Sequence, residues 1–245
     1  MQKKKVIGII PARFESSRFA GKVLADIHGK LMVQHVWERS KKSQLLDDLI
    51  IATDDKRVEK AVRDFGAKTV MTSKNHASGT ERICEAIAHL DANIAVNIQG
   101  DEPLIEPKAI DLVIQALLAD ELVPVATLRK KIENQDEIND PNVVKVVVDK
   151  NNFALYFSRA PIPFRAAHSQ MKTFACYKHC GLYAYTKNFL SAFRDLPSSA
   201  LEKIECLEQL RFLLHGYKIK VVETNYESIS VDTPEDLEKV RNFLK

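Results

Sequence analysis

Three stretches of this sequence hold residue types whose spacing suits chemistry on phosphates. The first reads Pro11-Ala-Arg-Phe-Glu-Ser-Ser-Arg-Phe-Ala-Gly-Lys22 and gathers Arg13, Arg18 and Lys22 beside Ser16, Ser17 and Gly21. Cationic side chains among exposed backbone N–H groups suit a polyphosphate. The stretch is neither a G-x-x-x-x-G-K-[ST] P-loop nor a G-x-G-x-x-G dinucleotide turn, and a solvated basic loop would have the same composition. The second stretch, Asn97-Ile-Gln-Gly-Asp101-Glu102-Pro103, puts a glycine and two carboxylates after an apolar run. At a strand end this presents oxygen ligands to Mg²⁺, which takes one or two carboxylates plus phosphate oxygens. Asp232 is the expected second ligand; a turn residue and a helix start are the plainer readings of the two aspartates. The third stretch, Ser78-Gly-Thr-Glu-Arg82, opens a helix whose N–H groups and hydroxyls could read a base edge or a phosphate, or could simply cap it. Arg159, in Tyr156-Phe-Ser-Arg-Ala-Pro-Ile-Pro163, stands at a strand end where a guanidinium can grip a carboxylate in bidentate fashion. Cys176, His179 and Cys180 faintly resemble a metal cluster, but small residues in or beside a strand are the better reading.

Positioning these residues requires a scaffold, and the apolar pattern supplies one. Val6–Ile10, Leu49–Thr53, Lys68–Met71, Ile94–Ile98 and Val123–Leu128 read as strands. Between them, Val58/Ala61/Val62/Phe65, Ile83/Ala86/Ile87/Leu90 and Ile110/Val113/Ile114/Leu117 repeat at the helical period. Unbroken apolar strands are covered on both faces, which predicts a doubly wound α/β fold with a mostly parallel sheet. Ligands of such sheets bind beyond the carboxyl ends of the strands, where the three stretches fall. From about residue 143 the pattern changes. Val143–Asp149 and Phe153–Arg159 form a hairpin across Asp149-Lys-Asn-Asn152, and Gly181–Tyr185 is a further strand. Leu201–Leu214 reads as one helix, Lys218–Glu223 as a strand, and Thr233–Leu244 as a helix with Thr233 as N-cap and Pro234 at N1. One domain over 1–245, with an inserted β-rich lobe at about 150–205, is the expected organisation.

Composition agrees with a globular enzyme-sized domain. The 245 residues are 45% hydrophobic and 28% charged, too apolar for a disordered chain. A formal charge of +3 is too mild to mark a nucleic-acid binder. No apolar run is long enough for a signal peptide or a membrane span. Four cysteines without C-x-x-C spacing suggest a reduced, cytoplasmic protein.

Taken together and in order, the motifs are recognisable. Pro-Ala-Arg-x-x-Ser-Ser-Arg-x-x-Gly-Lys, Ser-Gly-Thr-Glu-Arg, Asn-Ile-Gln-Gly-Asp-Glu-Pro, Tyr-Phe-Ser-Arg-Ala-Pro-Ile-Pro, Leu-Glu-Gln-Leu-Arg and Val-Asp-Thr-Pro-Glu-Asp-Leu run from end to end. Over residues 5–244 the chain closely resembles the 3-deoxy-manno-octulosonate cytidylyltransferases, or CMP-Kdo synthetases. The resemblance implies a Rossmann-like nucleotide-sugar transferase fold and a reaction of CTP with Kdo, an eight-carbon sugar acid. The products would be CMP-Kdo and pyrophosphate, on the route to lipopolysaccharide. It implies that Arg13, Ser16, Arg18 and Lys22 hold the CTP phosphates, while Ser78, Gly79 and Arg82 lie near the cytidine. Asp101 and Asp232 would bind Mg²⁺ and, with Lys22, form the catalytic set. Gln99, Arg159, His179, Tyr183, Glu208 and Gln209 would line the Kdo pocket. A homodimer built on the inserted lobe is also implied, to which Phe153, Tyr156, Phe157, Phe164 and Tyr177 give an aromatic surface.

Ala20 stands where the family commonly has proline, Asn75 where it often has aspartate, and Cys180 where an aliphatic residue is usual. None of these touches the phosphate or metal residues. Two other readings remain open at this point: a cytidylyltransferase for sialic acid or an amino-substituted Kdo, and a catalytically silent nucleotide-binding regulator.

Overall fold

The computed structural model describes residues 3–15, 19–76, 78–166, 168–169 and 174–244. The chain begins with β1 (Val6–Pro11), a 3₁₀ turn (Lys22–Leu24), β2 (Asp26–Ile27), β3 (Lys30–Leu31) and α1 (Met32–Ser40). Then come β4 (Asp48–Thr53), α2 (Lys56–Asp64), β5 (Lys68–Met71), α3 (Gly79–Ala88), β6 (Ile94–Asn97), α4 (Pro107–Ala119) and β7 (Val125–Lys131). The second half holds α5 (Asp136–Asn139), β8 (Lys145–Val148), β9 (Ala154–Ser158), β10 (Tyr177–Thr186), α6 (Lys187–Phe193) and α7 (Ala200–Glu205). It ends with α8 (Gln209–Leu214), β11 (Ile219–Glu223) and α9 (Pro234–Phe243).

Among the described residues the main sheet runs in the order β11-β7-β10-β6-β1-β4-β5. All of these strands point one way except β10, which is antiparallel to both β6 and β7. Helices cover both faces, as the apolar strands require. On one face α1, α2 and α4 contribute Val33, Val58, Val62, Ile110 and Ile114 to a core with Ile10, Ile51 and Val96. On the other, α3, α6 and α8 contribute Ile83, Phe189, Phe193 and Phe212 against Ile9, Tyr185 and Val221. Each such side chain contributes roughly 1.5–3 kcal/mol by leaving water.

The topology also decides where a ligand can enter. From β1 the chain moves outward through β4 and β5, then returns to place β6 on the other side of β1. The loops leaving β1 and β6 therefore part, opening a crevice at their carboxyl ends. There the two loops also approach closely. A Cβ on Gly100 would lie 2.7 Å from the carbonyl oxygen of Pro11, so only glycine fits.

The predicted hairpin is present, with β8 antiparallel to β9. Asp149 Oδ1 accepts from the N–H groups of Asn151 and Phe153, both at 2.8 Å, and Asn152 takes the left-handed conformation at φ 60. β8 also pairs with β10, so the hairpin continues the central sheet. The expected helix over Leu201–Leu214 is instead two helices, α7 and α8, broken at Cys206 with φ 51. Glu202 accounts for part of the break. It closes a capping box with Ser199 and receives Arg211 Nε at 2.8 Å, which folds α8 back beside α7. The helices α1 and α6 were not anticipated; α6 starts at Thr186, whose hydroxyl accepts from Phe189 N–H.

The last helix begins as its sequence predicts. Thr233 and Asp236 form a capping box with Pro234 in the first turn, a cap contributing about 1 kcal/mol. Leu237 and Val240 of α9 and Val231 before it pack with Ile27 and Met32. This small third cluster anchors the segment carrying Asp232 near the loop carrying Lys22.

Candidate active site

The crevice holds a cleft of about 440 Å³, lined by Arg13, Lys22, Gly79, Gln99, Asp101 and Asp232 together with Pro11, Glu15, Val23 and Gly100. Each side chain arrives by a local device. Lys22 starts the 3₁₀ turn, whose Val23 is buried in the core. The preceding Gly21 takes φ 71, and its N–H donates to Phe14 O at 2.8 Å. Phe14 lies under the guanidinium of Arg57, 3.4 Å from the ring centroid, and Asp55 holds Arg57 through Nε and Nη2. Stacking of this kind restrains the first loop from the side of α2.

Asp101 follows β6, and its carbonyl accepts from Val231 N–H at 2.9 Å. Lys22 closes the arrangement. Its Nζ donates to Asp101 Oδ2 at 2.6 Å, Asp232 Oδ1 at 3.1 Å and Val231 O at 3.1 Å. Burial pulls the Lys22 pKa down, yet Asp101 and Asp232 outweigh it and hold the pKa above the ordinary lysine value. The two aspartates that sequence reading paired thus converge on one cation. Oxygen donors of this kind are the chemistry a hard divalent ion prefers.

The neighbouring Glu102 diverges from Asp101. It is buried and accepts from Tyr226 Oη at 2.7 Å, and burial pushes its pKa up to about 6. It joins the β6 loop to the segment before Asp232, and no local signal in the sequence marked it for that role.

Of the expected sugar residues Gln99 lines the cleft, and the others lie outside its lining. His179 and Tyr183 flank an irregularity in the β10–β7 pairing, with ring centroids 5.3 Å apart. Gln99 reaches this wall, its Nε2 donating to Gly181 O at 3.1 Å. Bulges that re-aim side chains are common beside active sites. His179 keeps some exposed surface, but its ring lies between Phe157 and Tyr183, and burial pushes its pKa down to about 3. Its Nε2 lies 3.0 Å from Thr127 Oγ1. Cys180 is buried, and burial raises its thiol pKa to about 12. Tyr183 is buried, and burial holds its hydroxyl pKa well above the ordinary tyrosine value.

Glu208 and Gln209 open α8. Burial raises the Glu208 pKa against the hydroxyls of Ser78 and Thr80, which hydrogen-bond to it. Glu208 therefore meets the start of α3, whose Gly79 lines the cleft. Ser78 caps that helix, accepting from Glu81 N–H at 3.2 Å.

Two expected residues take other places. Arg82 does not reach the cleft: it is fully buried, with Nη2 on Asp54 Oδ2 at 2.7 Å and Nη1 on Thr72 and Ser73 O. It ties the start of α3 to the ends of β4 and β5. Arg159 lies beyond β9, with Nε on Glu205 O at 2.7 Å and Nη1 on Pro141 O at 2.9 Å. Ser16 and Arg18 lie outside the described residues.

A model of the cytidylyltransferase family matches residues 7–219. The 3-deoxy-manno-octulosonate cytidylyltransferase of Geotalea uraniireducens is 53% identical, covering 98% of this chain and 99% of the relative. The enzyme of the same name from Geobacter metallireducens is 52% identical, with 96% of each chain covered. A solved structure of CMP:2-keto-3-deoxy-manno-octonic acid synthetase complexed with CTP superposes with a TM-score of 0.93, at 43% identity and 98% coverage of both chains. A cleft at the sheet's switch point and likeness over the full length lead to one conclusion: this chain belongs to the cytidylyltransferase family and is a nucleotidyltransferase.

Proposed function

We propose that this enzyme transfers CMP from CTP to Kdo, releasing pyrophosphate, with Mg²⁺ as cofactor. The observation that carries the reading is the meeting of Arg13, Lys22, Asp101 and Asp232 in one cleft, in a chain so like Kdo-named relatives along its length. A binder of nucleotides alone has no need of paired carboxylates beside a lysine at the triphosphate end.

Asp101 and Asp232 would hold the metal, with phosphate oxygens completing its ligands. When bound, Mg²⁺ neutralises charge on the triphosphate and acidifies the attacking hydroxyl. The residues of the chain do the rest. Arg13, exposed on the cleft wall, and Lys22, released from the carboxylates, stabilise charge on the phosphates and on the departing pyrophosphate. Ser16 and Arg18 belong to the same phosphate set. Ser78 and Gly79 at the start of α3 face the cytidine side, while Arg82 supports them from beneath.

Gln99, His179, Tyr183, Glu208, Gln209 and Arg159 form the wall for the sugar acid. Arg159 takes the Kdo carboxylate: two backbone carbonyls fix its Nε and Nη1, leaving further donors for an anion. No protein group is assigned as general base.

The inserted lobe, residues 150–205, forms a homodimer. Of the aromatic residues predicted for that surface, Phe157 is fully buried, and Phe153, Tyr156 and Tyr177 are partly buried against the two main cores. Phe164, at 86%, is exposed as expected, and Leu155 at 61% and Ile204 at 79% add apolar surface there. Among the described residues β9 pairs only with β8, which leaves its other edge unpaired there. The enzyme works in the cytoplasm, supplying activated Kdo for lipopolysaccharide; among the described residues no helix is long and apolar enough to cross a membrane.

The test is pyrophosphate release from CTP and Mg²⁺ with Kdo, an amino-substituted Kdo, sialic acid and no sugar. Release with Kdo at the highest kcat/KM supports the reading. Preference for another acid would move the assignment to that sugar, and no release with any would overturn it.

A further inference from the structure

We propose that Lys145 is a positioning residue for Arg159, fixing the main chain from which that guanidinium meets an acidic sugar. The inference rests on the assignment of Arg159 to the sugar acid. Lys145 opens β8 with its side chain wholly buried, a costly place for an ammonium unless its donors are satisfied. All three are. Nζ donates to Asp140 O at 2.9 Å, Val143 O at 2.6 Å and Arg159 O at 2.6 Å.

Two of these acceptors lie on the turn entering β8, and the third is Arg159 itself. Lys145 is paired with Ser158 in the β8–β9 register, one residue from Arg159. The same turn carries Pro141, whose carbonyl receives Arg159 Nη1 at 2.9 Å. One buried cation therefore holds both the backbone of Arg159 and the turn against which its guanidinium rests. Glu205 grips from the other side. Its carbonyl accepts from Arg159 Nε at 2.7 Å, and its carboxylate accepts from Arg159 N–H at 2.9 Å and Ser158 Oγ at 2.7 Å.

With Nε and Nη1 engaged on carbonyls, Nη2 has no partner among the described residues. The guanidinium is thus held without being used up, the arrangement a carboxylate clamp needs. Packing alone does not account for a lysine here, since methionine of similar length would fill the space without the desolvation penalty. The carbonyls of an irregular turn and of a strand end do account for it.

The test compares Lys145→Met, Arg159→Ala and the double variant, reading Kdo saturation by kinetics and CTP affinity by calorimetry. Lys145→Met is expected to raise the Kdo KM roughly tenfold with CTP affinity within about twofold of the parent. In the Arg159→Ala background the same change should add less than about twofold, because both act through one guanidinium. Glu205→Gln should reproduce this pattern, and it carries the test if Lys145→Met does not fold. Equal effects in both backgrounds, or loss of CTP affinity alongside Kdo, would overturn the inference. If Arg159→Ala raises the Kdo KM and neither Lys145→Met nor Glu205→Gln does, the positioning role alone fails. If Arg159→Ala leaves Kdo saturation normal, the underlying assignment of Arg159 fails and takes this inference with it.

Discussion

The backbone N–H of Val231 donates to the carbonyl oxygen of Asp101 at 2.9 Å. That bond joins the loop after β6 to the segment before α9, so the carboxylates of Asp101 and Asp232 face one point although they come from distant parts of the chain. The main chain sets this arrangement, and both side chains are partly exposed, at 25% and 36%. Asp101→Asn and Asp232→Asn should therefore fold normally, with thermal midpoints near the parent's. Each should lose turnover by ~10²-fold or more through weakened charge stabilisation. Steady-state pyrophosphate release checks this, and rates within a few-fold of the parent would remove the pair from the reaction centre.

Lys22 sits on the same two carboxylates, 13% exposed, as an internal counter-ion. A divalent ion arriving without nucleotide must compete with it. Lys22→Gln should therefore bind Mn²⁺ roughly tenfold more tightly than the parent when CTP is absent, although its turnover falls. Calorimetric titration of both proteins checks the affinity; equal or weaker binding by the variant would show that the ammonium is no competitor.

Much of this site was legible in the sequence because its signals are local. The cations of Pro11–Lys22, the Gly-Asp after β6, the Thr233–Asp236 capping box and the Asp149–Asn152 turn each act within a few residues. Non-local features stayed hidden. Arg82 is expected beside the cytidine, and its burial depends on Asp54 and Thr72 from other elements. Cys206 breaks the α7–α8 segment in a left-handed conformation without the glycine or asparagine that would announce it. The contact of Lys22 with Asp101 and Asp232 exists only once the switch point and the third apolar cluster bring three segments together.

His179 gives stability a pH dependence. Burial lowers its pKa from 6.5 to about 3 in the folded protein, so between those values the unfolded chain binds the extra proton. Its neutral burial costs nothing above pH 6.5 and destabilises progressively as pH falls through that window. At pH 5 the penalty is on the order of 2 kcal/mol. His179→Gln should lose less stability than the parent between pH 7 and pH 5, by about that amount in urea melts. Parallel curves for the two proteins would show that the imidazole is protonated as easily folded as unfolded.

The edge of β9 left unpaired among the described residues and the exposed Leu155, Phe164 and Ile204 should be covered by a second copy of the chain. Light scattering at micromolar concentration should give a dimer mass, and Ile204→Lys should weaken the dimer without unfolding the protomer. A monomer mass for the parent would leave that apolar surface without the partner assigned to it.

The central claim is that Asp101 and Asp232 hold the metal while Lys22 moves to the triphosphate. Crystals grown with CTP and Mn²⁺, measured at the manganese absorption edge, test it most directly. The account requires an anomalous peak ligated by both aspartates, with Lys22 Nζ on a phosphate oxygen. A peak that neither carboxylate touches, or Lys22 still bridging Asp101 and Asp232 with CTP bound, would contradict it.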